Sequence, residues 1–200
     1  RDERLSWLTG FTGSAGFCAA LGDVAGVFID GRYRTQVKTQ VADVFTPVPW
    51  PDVSLAEWLK EQLPQGGVIG FDPWLHTVAQ LEQVRKSLEG SNITLCPCTN
   101  LVDKIWADQP EPPMQPAKEH SLEFAGEAHA QKRARLAEGL KDASQSAAII
   151  TLPDSIAWLL NLRGADIPRN PVAHGFALLH ADSSVDLFMA ASKLNELGAH

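Results

Sequence analysis

The chain is poor in cysteine, has no long apolar run and carries no basic excess, and each shortage removes a class of protein. Cys18, Cys96 and Cys98 are its only thiols. An odd, low count does not make a disulfide framework and fits a reducing compartment. No apolar stretch approaches the roughly 20 residues that a membrane-spanning helix needs, so no membrane partner is expected. Acids outnumber Lys and Arg by 24 to 17. No basic run exceeds a few residues, so no nucleic-acid partner is expected either. The opening Arg1-Asp2-Glu3-Arg4 is charged and lacks both an initiator Met and an apolar h-region. No signal peptide is expected there, and position 1 does not read as a natural start. No His-Glu-x-x-His helix is present, and no two histidines share a helix face at four-residue spacing.

What is present alternates between strand and helix patterns. An apolar content of 44% is enough for one large or two small cores. The runs 16–21 and 24–29, around Gly22-Asp23, read as a β-hairpin. Tyr33, Val37 and Val41, spaced by four, predict a helix over 32–41. Residues 45–48 form a short strand before Pro49-Trp50-Pro51. Ser54-Leu55-Ala56-Glu57 is a capping box, opening a helix with Leu55, Trp58, Leu59 and Leu63 on one face. A strand over 68–71 follows, then a longer helix started by Asp72-Pro73 with Val78, Leu81 and Leu88 inward, then a strand over 93–96. This order predicts an α/β fold with a mixed sheet.

Pro110, Pro112, Pro113 and Pro116 crowd one short segment. That density suits neither a helix nor a central strand, so 108–116 reads as a linker between a domain over 1–107 and another over 117–200. The second half restarts the alternation. A helix is expected over 127–143 with Leu136 and Leu140 on one side, then a strand over 147–151 and a helix capped by Asp154 and ending at Leu160. A polar loop over 163–171, strands over 176–179 and 185–189, and a helix begun by Ser192 complete it.

Few residues invite a chemical reading. Gly10, Gly13 and Gly16 have the spacing G-x-x-G-x-x-G, with no lysine and a strand following, so they read as turn formers and not as a phosphate loop. Ser14 lacks the glycine two positions before it that a nucleophile elbow requires. Cys96-Pro97-Cys98 reads as two thiols at a strand end. Arg163-Gly164-Ala165-Asp166, beside Asn161 and Asn170, reads as a self-bracing loop. Asp30-Gly31-Arg32-Tyr33 lies where a strand enters a helix, the edge at which open α/β sheets meet ligands. Two readings stand side by side there. Asp30 caps the helix while Arg32 is solvated or ion-paired, or Arg32 binds a substrate.

Four stretches share an order and spacing with one known family. They are Trp7-Leu8-Thr9-Gly10-Phe11-Thr12-Gly13-Ser14-Ala15-Gly16, Asp30-Gly31-Arg32-Tyr33, the segment from Asn100 to Trp106, and the segment from Ser155 to Pro168 with Asn170-Pro171-Val172 after it. Together they resemble the N-terminal region of the Xaa-Pro aminopeptidases, creatinase-like relatives of the pita-bread metallopeptidases. The resemblance implies two creatinase-like N-terminal domains with mixed β-sheets flanked by helices. The first would lack its opening helix and strand, the second would be truncated, and the catalytic domain would be absent.

The parent implied by the resemblance is a cytoplasmic peptidase acting on peptides with proline at the second position. Its water would bridge two divalent metal ions, manganese first and zinc second. Its partners would include its own C-terminal catalytic domain and a second copy in a homodimer. This chain would hold no catalytic residue and no metal ligand. The family pairs two aspartates eleven positions apart, and no Asp here has such a partner; Asp142 and Asp154 miss by one. Arg32 is the substrate-binding residue the resemblance points to. The stretch Ala173-His174-Gly175-Phe176 departs from the family's aromatic-Ser-Tyr continuation, so no contact is carried over from it. A binding module or pseudoenzyme on the same scaffold, or a metal-free creatinase-type amidinohydrolase, remains the alternative.

Overall fold

A computed structural model describes residues 3–198. The chain divides between Pro110 and Glu111 into two units, each with its own core.

The first unit opens with helix α1 (Arg4–Thr9), closed by Gly10 in the left-handed conformation at φ +79°. A Cβ at Gly10 would lie 2.6 Å from the Gln40 carbonyl oxygen, so the turn and the close approach both need glycine. Strands β1 (Gly16–Ala20) and β2 (Ala25–Ile29) form the expected antiparallel hairpin. After α2 (Val37–Gln40), β3 (Phe45–Pro49) joins β2 in parallel, giving the order β1-β2-β3. Val27, Phe28 and Ile29 are all buried. A central strand covered on both faces needs such an unbroken apolar run. Phe28 points into one cluster with Val48, Trp58 and Leu59, while Val27 and Ile29 point into another with Phe11 and Val37.

Helix α3 (Leu55–Gln62) starts on the predicted capping box: Glu57 N–H donates to Ser54 Oγ at 3.2 Å, and Ser54 N–H donates to Glu57 Oε2 at 2.9 Å. Its Leu59 is fully buried, worth about 1.5–3 kcal/mol. Strands β4 (Gly67–Phe71) and β5 (Ile93–Pro97) pair in parallel around α4 (Val78–Ser87). Their ladder is separate from that of β1-β2-β3, but Ile69, Leu95 and Ile93 share the core of Phe28 and Trp58. Helix α5 (Leu101–Ile105), capped by Asn100, ends the unit. It ties back to α1: Arg4 donates from Nε and Nη2 to Asp103 at 2.6 and 2.9 Å, and Trp7 stacks on Trp106 with centroids 5.1 Å apart.

Residues 109–117 contain no helix or strand. The second unit contains β6 (Lys118–Glu119), α6 (Leu122–Ala125), α7 (His129–Asp142), β7 (Ala147–Ile150), α8 (Pro153–Leu160), β8 (Leu162–Arg163), β9 (Phe176–His180) and β10 (Val185–Phe188). The order β10-β9-β7 is antiparallel throughout, and β6 pairs with β8 in a two-residue ladder. Leu140 of α7, Leu159 of α8 and Leu179 of β9 form the core.

Five local expectations change. The predicted helix over 32–41 is a 3₁₀ turn at Gly31–Tyr33 followed by the short α2, because Asp30 ties down Arg32 N–H and tightens the first turn. Tyr33, Val37 and Val41 still face the core. Asp72-Pro73 starts only a 3₁₀ turn; Thr77 and Gln80 form a second capping box, and α4 begins there. Val78 is 72% exposed, so this helix reaches the core through Val84 and Leu88 and not through its first turn. Asp154 is not a cap, since the chain turns at Leu152 and Pro153 occupies the first helical position that its fixed φ suits. From Ser192 the chain forms only a 3₁₀ turn over Ala191–Leu194, because Lys193 is drawn into the interior; the predicted end at His200 lies outside the described residues.

Candidate functional site

Strands β2 and β3 run in the same direction and end side by side, with Trp50 N–H donating to the Ile29 carbonyl at 2.9 Å. This edge delivers Asp30 and Arg32. Asp30 Oδ1 accepts the Arg32 backbone N–H at 2.9 Å, and its two oxygens take Arg32 Nε at 3.0–3.1 Å and Nη2 at 2.5 Å. The hydrogen bond from the Arg32 side chain holds the Asp30 carboxyl below its usual value. The Arg32 guanidinium lies 5.1 Å from the Tyr33 ring centroid. Its side chain nevertheless remains 66% exposed, and Nη1 has no partner among the described residues. One face of the guanidinium is therefore fixed and the other is presented outward. Arg34 pairs with Asp52 at 2.6 Å nearby.

The glycine-rich loop is built into this edge. Tyr33 Oη stands 2.6 Å from Ser14 Oγ and accepts Ser14 N–H at 3.2 Å, an arrangement that lowers the phenol's pKa. Gln40 grips the loop from the other side, accepting Thr12 N–H at 3.0 Å and donating to Thr12 Oγ1 at 2.8 Å. A Cβ on Gly13 would fall 2.2 Å from the buried Phe11 ring. The three glycines are thus occupied by turn and packing demands, and Ser14 serves as a link to Tyr33.

The loop after Arg163 braces itself. Asp166 is buried; its N–H donates to the Val172 carbonyl, and its Oδ2 accepts His174 N–H at 2.6 Å and Lys193 Nζ at 2.5 Å. Gly164 N–H donates to the Pro171 carbonyl at 3.1 Å. Lys193 has only 5% of its side chain exposed, and reading the sequence did not single it out. Lys132 was also missed, although it has a signal: it continues the Leu136 and Leu140 stripe at four-residue spacing and is only 2% exposed.

Cys96 is exposed and Cys98 half-buried, both as free thiols. Among the described residues no three His, Cys, Asp or Glu side chains converge as metal ligands.

The chain thus consists of two α/β units, the first of which presents an exposed, oriented arginine at the carboxyl edge of its sheet. Residues 1–105 and 108–200 each match a family described as Creatinase/Prolidase N-terminal domain. The chain belongs to the creatinase/prolidase N-terminal domain family. It is 36% identical over 197 residues to Aminopeptidase P2 of Arabidopsis thaliana, spanning 96% of this chain and 28% of that protein. It is 37% identical over 209 residues to the Probable Xaa-Pro aminopeptidase P of Talaromyces marneffei, spanning 100% and 31%. Among solved structures it matches the X-prolyl aminopeptidase of Caenorhabditis elegans, described as a cytosolic enzyme with a di-nuclear active site. The TM-score is 0.89 at 33% identity, over 98% of this chain and 32% of that one. The chain thus spans about a third or less of the length of the relatives it matches.

Proposed function

We propose that this chain is the N-terminal, substrate-enclosing region of an Xaa-Pro aminopeptidase, a hydrolase that releases the residue preceding proline. The observation that carries the reading is the likeness to the X-prolyl aminopeptidase over 98% of the chain at a TM-score of 0.89. The parent would be cytosolic and act on peptides with proline in second place. Its two metal ions, manganese by preference or zinc, would activate the attacking water within a catalytic domain beyond this chain. That domain and a second copy in a homodimer are the proposed protein partners.

Arg32 is the proposed substrate-binding residue. Asp30 fixes its guanidinium from one side and leaves Nη1 for a substrate carbonyl or carboxylate, which suits the planar fork of arginine better than a lysine. In the full-length enzyme, Arg32→Ala should lower kcat/KM at least about tenfold, or about 1.4 kcal/mol of transition-state stabilisation. The melting temperature should barely move, because exposed ion pairs contribute little to stability. Arg32→Lys should recover part of the loss. A variant that melts several degrees lower yet keeps its kcat/KM would make Arg32 a brace.

A further inference from the structure

The second unit contains a pocket of about 340 Å³ that the peptidase reading does not use. Its walls are Trp158, Phe124 and Pro171, with the His120 ring stacked on Phe124 at 6.1 Å. Lys132 and Arg163 line it together. Lys132 is 2% exposed, and a cation taken out of water is costly unless it is compensated. Its Nζ donates to the Trp158 carbonyl at 2.9 Å, closing the end of α8, and to Asn161 Oδ1 at 2.7 Å. Both acceptors are neutral, and an ammonium has a third donor. The same Nζ sits 4.6 Å from the Trp158 ring centroid.

Arg163 donates from Nη1 to the Leu162 carbonyl and has no carboxylate partner among the described residues. The side-chain amide of Asn170, also on the wall, makes no hydrogen bond among the described residues. The one carboxylate lining the pocket is Asp154; Glu127, which also feels Lys132, is already paired with Arg135 at 2.8 Å. Two cations against one carboxylate leave a net positive charge beside the Trp158 and Phe124 rings, in a wall that is otherwise part polar and part apolar.

We infer that this pocket binds a monocarboxylate joined to a flat apolar group. The carboxylate meets Lys132 and Arg163, and the ring lies against Trp158 and Phe124. The same chemistry is offered by a free organic acid and by the C-terminus of a peptide ending in an aromatic residue. The site stands apart from the peptidase reading, since neither probe below needs an Xaa-Pro bond.

Calorimetric titration of the chain with hippurate, and with hippuramide as its uncharged counterpart, tests it. Hippurate should bind saturably below about 10 mM and at least about tenfold tighter than hippuramide. Arg163→Gln should weaken hippurate about tenfold or more at an unchanged melting temperature, and Asp154→Asn, which removes the competing carboxylate, should tighten it. Binding of Ala-Ala-Phe but not its C-terminal amide would identify a peptide terminus as the source, and binding of hippurate alone would identify a free acid. Equal binding of hippurate and hippuramide, no binding of hippurate, or an Asp154→Asn variant that binds no tighter would overturn the proposal. The Asp154→Asn arm decides the matter if Arg163→Gln does not fold.

Discussion

Burial decides what the individual reactive and charged residues can do. Cys18 lies in the hairpin against the Phe11 cluster, and desolvation pushes its thiol from 9.0 up to about 11. Above pH 9 the unfolded chain therefore releases this proton before the folded chain does, and stability falls as pH rises from about 9 to about 11. Urea midpoints should drop across that window, and Cys18→Ala should flatten the decline. At pH 8, Cys96 should react first with a thiol reagent and Cys18 last. The Asp166–Lys193 pair is the other residue-scale commitment. Lys193→Met leaves a buried carboxylate without its cation and should cost about 3–5 kcal/mol in a denaturant melt. The double variant with Asp166→Asn should cost less than the two single changes added together, since each removes the same interaction.

At the scale of the element, chemical start signals were more legible than helix lengths. Ser54 and Glu57 form the box their spacing announces, because the reciprocal bonds involve residues three apart and need nothing from the rest of the fold. Ser54→Ala should cost about 1 kcal/mol, read as a shift in the thermal midpoint. Thr77 and Gln80 carry the same signal, and Asp72-Pro73 masked it. The segment after Asp30 kept its apolar stripe but not one continuous helix, since capping by Asp30 competes with regular i→i+4 bonding. Of the two readings of Asp30 and Arg32, the structure shows the capping and ion-pairing one, and substrate binding by Arg32 stays a proposal. The carboxylate caps the turn and pairs with the arginine, and the arginine still presents a free edge.

At the scale of the whole molecule, the proline-rich segment is proposed as a connector. Its residues offer few backbone donors, and no strand or helix forms over 109–117. Limited proteolysis should cut first between Trp106 and Phe124, and early cuts within 68–95 would show the boundary misplaced. The sequence by itself determined the α/β order, the hairpin and the family, because apolar periodicity, turn residues and local motifs act over a few neighbours. Only the tertiary structure decided that Trp7 and Arg4 meet Trp106 and Asp103, that Lys193 turns inward to Asp166, and that Lys132 and Arg163 share one pocket. Those pairings join residues distant in the chain, and whether a cation is solvated or buried depends on what the folded chain packs around it.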